Sequence, residues 1–236
     1  MTSRAPIAVA LDAPDLDTAA EWAAQVTPHV STLKIGLELY LRYGPEVVAS
    51  VRGARGVDVF LDLKLHDIPA TVGGAARGVA KLRPDLLTVH AAAGSAAIKA
   101  AVQALPETNI VGVTVLTSLD DADLTDIGIA GPVSEAVCRL ARLAVNAGAR
   151  GLVCSPWEVP AVRAEVGPDI TLITPGIRPA GQANDDQARV ATPLNALRDG
   201  ADLLVIGRPI TTAADPGAAA AALAADLRRP AAQANH

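Results

Sequence analysis

Aromatic side chains are scarce in this chain: two Trp, two Tyr and one Phe among 236 residues, 2% of the total. A protein that grips single-stranded nucleic acid by base stacking is therefore not expected, because that mode needs a platform of aromatic rings. Cysteine is also rare. Cys138 and Cys154 stand alone, whereas a disulfide framework uses several cysteines in a shorter chain. Both are read as buried, reduced thiols, which fits the cytosol. There is no basic excess. The net charge is -5 and the pI about 5.3, which argues against a polyanion binder. No apolar run approaches the ~18 residues of a membrane-spanning helix. The first run, Ile7–Leu11, is too short for the apolar part of a signal peptide and is followed by Asp12. A cytoplasmic protein without nucleic-acid or membrane partners is the expectation. Half of the chain is hydrophobic, which excludes disorder. The core must be built from Ala, Val, Leu and Ile, so close approach of regular elements replaces aromatic filling.

What is present is a repeat of element type. Aliphatic runs of strand length occur at Ile7–Leu11, Leu33–Gly36, Val57–Leu63, Leu86–His90, Ile110–Val115, Gly151–Cys154, Thr171–Thr174 and Leu203–Ile206. Ala-rich segments with helical spacing lie between them, among them Leu16–Val26, Ala70–Leu82, Ser95–Leu105, Val133–Ala147 and Ala218–Leu227. Asp15 or Asp17 is placed to cap the first helix, Pro132 to open another, and Gly148 to close it. Eight strand–helix alternations predict an α/β fold, a single (β/α)8 TIM barrel spanning residues 1–236, with a frayed tail after about residue 227. An open doubly wound sheet is the competitor. It normally carries a Gly-rich turn after its first strand, and here that turn reads Asp12-Ala13-Pro14-Asp15. The longest polar stretch, Arg178–Arg189, reads as a mobile loop.

Polar residues gather at the C-terminal ends of the runs: Asp12, Lys34, Asp62, Lys64, His90, Thr117, Ser118, Ser155, Thr174, Gly207 and Arg208. In a barrel those ends converge on one mouth, where active sites lie. Strand ends are also simply where polar loops begin. That plain reading does not cover Lys34, Asp62 and Lys64, which lie within or directly against the apolar runs, where a lone charge is costly. Residues i and i+2 of a strand share a face. Asp62 and Lys64 are thus expected to point together into the mouth, with Leu61, Leu63 and Leu65 facing the helices. Pro69 suits a first helical turn, Asp67 is a candidate cap for that helix, and His66 reads as a loop histidine. Loops after strands 7 and 8 often hold phosphate in barrels. Gly207 and Arg208, Thr211 and Thr212 opening the next helix, and Thr174-Pro175-Gly176-Ile177-Arg178 are the candidates. Gln187 could return to the same anion from the polar loop.

Asp62-Leu63-Lys64-Leu65-His66-Asp67-Ile68-Pro69 resembles the signature of the orotidine 5′-phosphate decarboxylase family. The resemblance runs through Ala10-Leu11-Asp12, Lys34-Ile35-Gly36, Val89-His90-Ala91, Val113–Ser118, Thr174–Arg178, Asn184–Gln187 and Val205–Arg208, in order and in spacing. It implies a metal-free, cofactor-free decarboxylation of orotidine 5′-monophosphate to uridine 5′-monophosphate by a homodimeric barrel. Lys34, Asp62, Lys64 and Asp67 would form the charge network, with Lys64 protonating C6. Asp67 and Thr71 would complete the partner's site. Asp12 and Lys34 would meet the ribose, and Thr117 or Ser118 the pyrimidine. Pro175, Arg178, Gln187, Gly207 and Arg208 would hold the remaining groups, the phosphate above all. Sister enzymes of the 3-keto-gulonate 6-phosphate decarboxylase type share Asp-x-Lys-x-x-Asp but use Mg2+, with a carboxylate where Lys34 stands. A barrel kept as a non-catalytic phosphate-ligand sensor is the third reading.

Overall fold

The computed structural model describes residues 4–53, 56–178 and 191–228. The strands are β1 (Ala5–Ala10), β2 (Val30–Gly36), β3 (Asp58–Leu65), β4 (Leu86–His90), β5 (Asn109–Val113), β6 (Gly151–Val153), β7 (Thr171–Thr174) and β8 (Leu203–Ile206). All neighbours pair in parallel and β8 returns to β1, so the sheet closes into a barrel in sequence order. Each aliphatic run became one strand, and the open-sheet alternative is excluded. The tail after residue 228 and the polar loop from 179 to 190, with Gln187, lie outside the described residues.

Two apolar layers hold the barrel. Inside, Ala8, Phe60, Leu86, Val111, Ile173 and Leu203 fill the lumen. Outside, Leu33, Ile35, Leu61, Leu87, Ile110, Leu152, Leu204 and Ile206 meet alanines of the surrounding helices, such as Ala19, Ala23, Ala97, Ala101, Ala136 and Ala144. Fully burying each Leu or Ile contributes about 1.5–3 kcal/mol. Small helix faces let the backbones come close. At Gly112, which faces the helix Val133–Asn146, an added Cβ would sit 2.6 Å from Ala144 Cβ.

The helix boundaries follow local chemistry. Asp15 caps Leu16–Val26 by accepting the Thr18 N–H at 2.7 Å. Pro132 precedes Val133–Asn146, and Gly148, at φ +99°, turns the chain out of it. The segment expected as one helix over Ala70–Leu82 is an α-helix from Pro69 to Val79 followed by a 3-10 turn, Ala80–Leu82. Asp67 does not cap it. Ile68 holds the cap position, and the Asp67 carboxylate accepts the Ile68 N–H instead. Thr211 and Thr212 close rather than open the short helix Arg208–Thr211, because Arg208 and Pro209 already supply its first turn. Cys154 is buried as expected, and burial, then Glu158, push its thiol up to about 12. Cys138 is only half-buried. Among the described residues no helix is long and apolar enough to cross a membrane.

Candidate active site

At the C-terminal end of the strands lies a cavity of about 630 Å3. Its floor is the top of the inner core, Ala10, Phe60, Val113, Val153 and Val205. Its polar wall combines Asp12, Lys34, Asp62, Lys64 and Thr117 with Pro175, Gly176, Arg178, Gly207 and Arg208. Register explains why these side chains meet. Lys34 pairs with Ala10 on one side and Phe60 on the other, so it belongs to the inward-facing set of β2.

The charged centre is a chain of contacts. Lys64 Nζ donates to Asp62 Oδ1 at 2.8 Å, and Lys34 Nζ lies 3.4 Å from Asp62 Oδ2 and 4.0 Å from Asp12 Oδ1. Lys34 and Asp62 are each 8% exposed. Burial alone would push the Asp62 carboxyl up. The two ammonium groups outweigh that and hold it below the usual carboxylate range. Asp62 is therefore an anion fixed between two cations on a ligand-sized cavity wall. Gly36 makes room for this. A Cβ there would lie 2.9 Å from Asp12 Oδ1 and 3.2 Å from Lys34 Nζ.

The strand carrying the pair is irregular. Leu61 pairs with Leu87 and Leu65 with Val89, so Asp62, Leu63 and Lys64 all lie opposite the single residue Thr88. Lys64 takes φ +48°, a left-handed conformation uncommon outside glycine. Its backbone N–H, displaced from the ladder, donates to Thr88 Oγ1 at 2.8 Å. Leu61 and Leu63 are buried toward the helices, as the alternation predicts, and Leu65 packs there partly. Beyond the bulge, the His66 ring lies against the His90 ring with centroids 5.1 Å apart.

Several expected residues fall elsewhere. Ser118 is exposed and lies off the cavity wall, while Thr117 lines it. Asp67 and Thr71 are exposed and do not line the cavity of their own chain. Ser155 is buried, and its hydroxyl accepts the Trp157 N–H. Thr174 is fully buried, its hydroxyl has no hydrogen-bond partner among the described residues, and it does not line the cavity. The two ends of the polar loop are tied together. Arg178 N–H donates to Ala191 O at 3.1 Å, and Ala191 N–H to Gly176 O at 3.4 Å. Gly36 and Thr88 are site residues that spacing alone did not mark as such.

A closed parallel barrel with a lysine–aspartate–lysine centre on one side of the mouth and two arginines on the lining defines a (β/α)8 enzyme for a small anionic substrate. Over residues 5–223 the chain matches the family described as orotidine 5′-phosphate decarboxylase / HUMPS. It is 72% identical over 225 residues to orotidine 5′-phosphate decarboxylase of Thermobifida fusca, covering 95% of this chain and 97% of the relative. It is 58% identical to that of Frankia casuarinae, covering 95% and 88%. The crystal structure of orotidine 5′-phosphate decarboxylase from Lactobacillus acidophilus superimposes with a TM-score of 0.81 at 36% identity, covering 96% of this chain and all of that one. The chain belongs to the orotidine 5′-phosphate decarboxylase / HUMPS family.

Proposed function

We propose that Lys64 is the proton donor in the reaction this chain catalyses, the decarboxylation of orotidine 5′-monophosphate to uridine 5′-monophosphate and CO2 in pyrimidine biosynthesis. The chain is a carbon–carbon lyase. Loss of CO2 leaves a carbanion at C6 in the plane of the pyrimidine, where the ring π system cannot delocalise it. The stabilisation required approaches the upper part of what enzymes reach, up to ~23 kcal/mol. The observation that carries the proposal is the Lys34–Asp62–Lys64 centre on the cavity wall. Lys64 is the more accessible of the two lysines, with its side chain 34% exposed against 10%. It stands as the cation nearest the developing charge and as the acid that delivers a proton to C6. Asp62 stands beside the departing carboxylate, and their repulsion is relieved as CO2 leaves. Two unit charges ~4 Å apart interact by about 4 kcal/mol at an effective dielectric of ~20. One such pair is far from enough, so binding energy from the remote phosphate must also be used.

Arg178, Arg208 and the Gly207 backbone are the phosphate ligands in this reading, with Gln187 joining them from the loop. Asp12 and Lys34 take the ribose hydroxyls, and Thr117 and Pro175 bound the pyrimidine. The exposure of Asp67 and Thr71 outside their own cavity supports a homodimer in which they complete the neighbour's site. The reading includes a single-domain cytoplasmic enzyme that needs no metal or organic cofactor. Lys34 favours it over the Mg2+-dependent alternative, because its ammonium 3.4 Å from Asp62, added to that of Lys64 at 2.8 Å, opposes a metal cation there. Turnover by wild type and by Lys64→Ala tests it. The variant should lose nearly all turnover while still binding uridine 5′-monophosphate.

A further inference from the structure

The β3 bulge raises a question that the charge network alone does not answer: what holds Lys64 in a left-handed conformation with its N–H off the ladder? The answer is a single side chain on the next strand. Thr88 Oγ1 accepts the Lys64 N–H at 2.8 Å and lies 3.2 Å from Asp62 Oδ1. A hydroxyl has one proton to give. With the Lys64 N–H already donating to it, that proton goes to the Asp62 carboxylate. Asp62 Oδ1 also accepts from Lys64 Nζ at 2.8 Å. The backbone and the ammonium of Lys64, the Asp62 carboxylate and the Thr88 hydroxyl thus form a closed hydrogen-bonded ring. Thr88 is 0% exposed and does not line the cavity, so the hydroxyl is reserved for this ring.

We propose that Thr88 is a positioning residue for the decarboxylation, its hydroxyl fixing both the Asp62 carboxylate and the strained Lys64 backbone so that ammonium and carboxylate face the reacting carbon together. The inference rests on the roles given above to Lys64 and Asp62. Alignment of this kind acts on the transition state and not on the grip on the nucleotide, because the phosphate and ribose ligands belong to other strands. Removing the hydroxyl leaves the part-buried Lys64 N–H without its acceptor and the buried Asp62 carboxylate short of one donor, the second a costly loss.

The test compares Thr88→Val, which keeps the shape and removes the hydroxyl, with Thr88→Ser, which keeps the hydroxyl. Steady-state kinetics on orotidine 5′-monophosphate are measured with product affinity and Tm for each. The expected result is a kcat about 10–100-fold lower for Thr88→Val, the effect of one hydrogen bond to a charged group. KM and uridine 5′-monophosphate affinity should stay near the wild-type values, and Thr88→Ser should recover most of the loss. A Thr88→Val enzyme with wild-type kcat would overturn the proposal. So would equal losses in both variants, or a parallel loss of kcat and nucleotide affinity. If Thr88→Val does not fold, Thr88→Cys carries the same comparison. Failure of both to fold would overturn the proposal in favour of a purely structural hydroxyl. A wild-type protein without turnover would instead refute the underlying functional reading.

Discussion

Replacing Lys34 by Met removes one of the two cations that hold Asp62 ionised, and keeps most of the buried stem. At 3.4 Å and an effective dielectric of ~20 the Lys34–Asp62 attraction is about 5 kcal/mol before desolvation is counted. Breaking a buried pair from one side costs about 3–5 kcal/mol, because the remaining charge stays buried. Asp62 keeps Lys64 at 2.8 Å and the Thr88 hydroxyl, so the lower end applies, about 3 kcal/mol. For a chain of this size that corresponds to a fall in Tm of roughly 6–12 °C. The loss should depend on pH. Asp62 is depressed in the folded state, so its pairing stabilises the fold above the ordinary carboxylate value of 3.8. That stability disappears as pH falls through the lower, folded value. Lys34→Met raises the folded value, so the two proteins should converge in stability in acid and differ most near neutrality. In an Asp62→Asn background the same substitution should cost less, since the pair is already broken. Denaturant unfolding across pH measures all three. A neutral-pH loss under about 1 kcal/mol, or a difference that grows in acid, would refute the reasoning.

Two further outcomes follow from the packing and the histidine pair. Gly112→Ala drives a Cβ to 2.6 Å from Ala144 Cβ, and overpacking of this kind should destabilise by about 1–3 kcal/mol; an unchanged Tm would show that the helix Val133–Asn146 yields freely. His90 is held below its ordinary 6.5 by burial, then by His66 and Lys64, against Asp62. Between that lowered value and 6.5 the unfolded chain binds more protons, so stability falls as pH drops through the window. His90→Gln should flatten this slope in urea titrations, and an identical slope in both proteins would discard the assignment.

The barrel was legible because strand-length aliphatic runs alternate with Ala-rich helical segments, and a closed parallel sheet is what that order builds. The Asp62/Lys64 pair was also legible, but through a simplified route. A regular strand puts i and i+2 on one face, whereas here three residues of β3 stand opposite Thr88 and Lys64 has φ +48°. Nothing in the spacing of Asp62-Leu63-Lys64 announces a bulge, so Thr88, two positions before His90, carried no mark. Gly36 was equally silent, because its role is to be absent beside the Asp12 and Lys34 side chains. Thr117 and Ser118 are neighbours of similar chemistry, and only the path of the chain after β5 turns one toward the cavity and the other to solvent. The partner-site role proposed for Asp67 and Thr71 has no sign in one chain's own spacing.

In the proposed mechanism the buried Asp62 between two lysines, with no bound metal, assists the loss of CO2, and Lys64 is the acid. The most direct measurement is orotidine 5′-monophosphate turnover in EDTA, followed by pyrimidine absorbance, for wild type and Lys64→Ala. Undiminished wild-type turnover with near-complete loss in the variant is the predicted result. Turnover that requires Mg2+, or a Lys64→Ala enzyme as active as wild type, would contradict it.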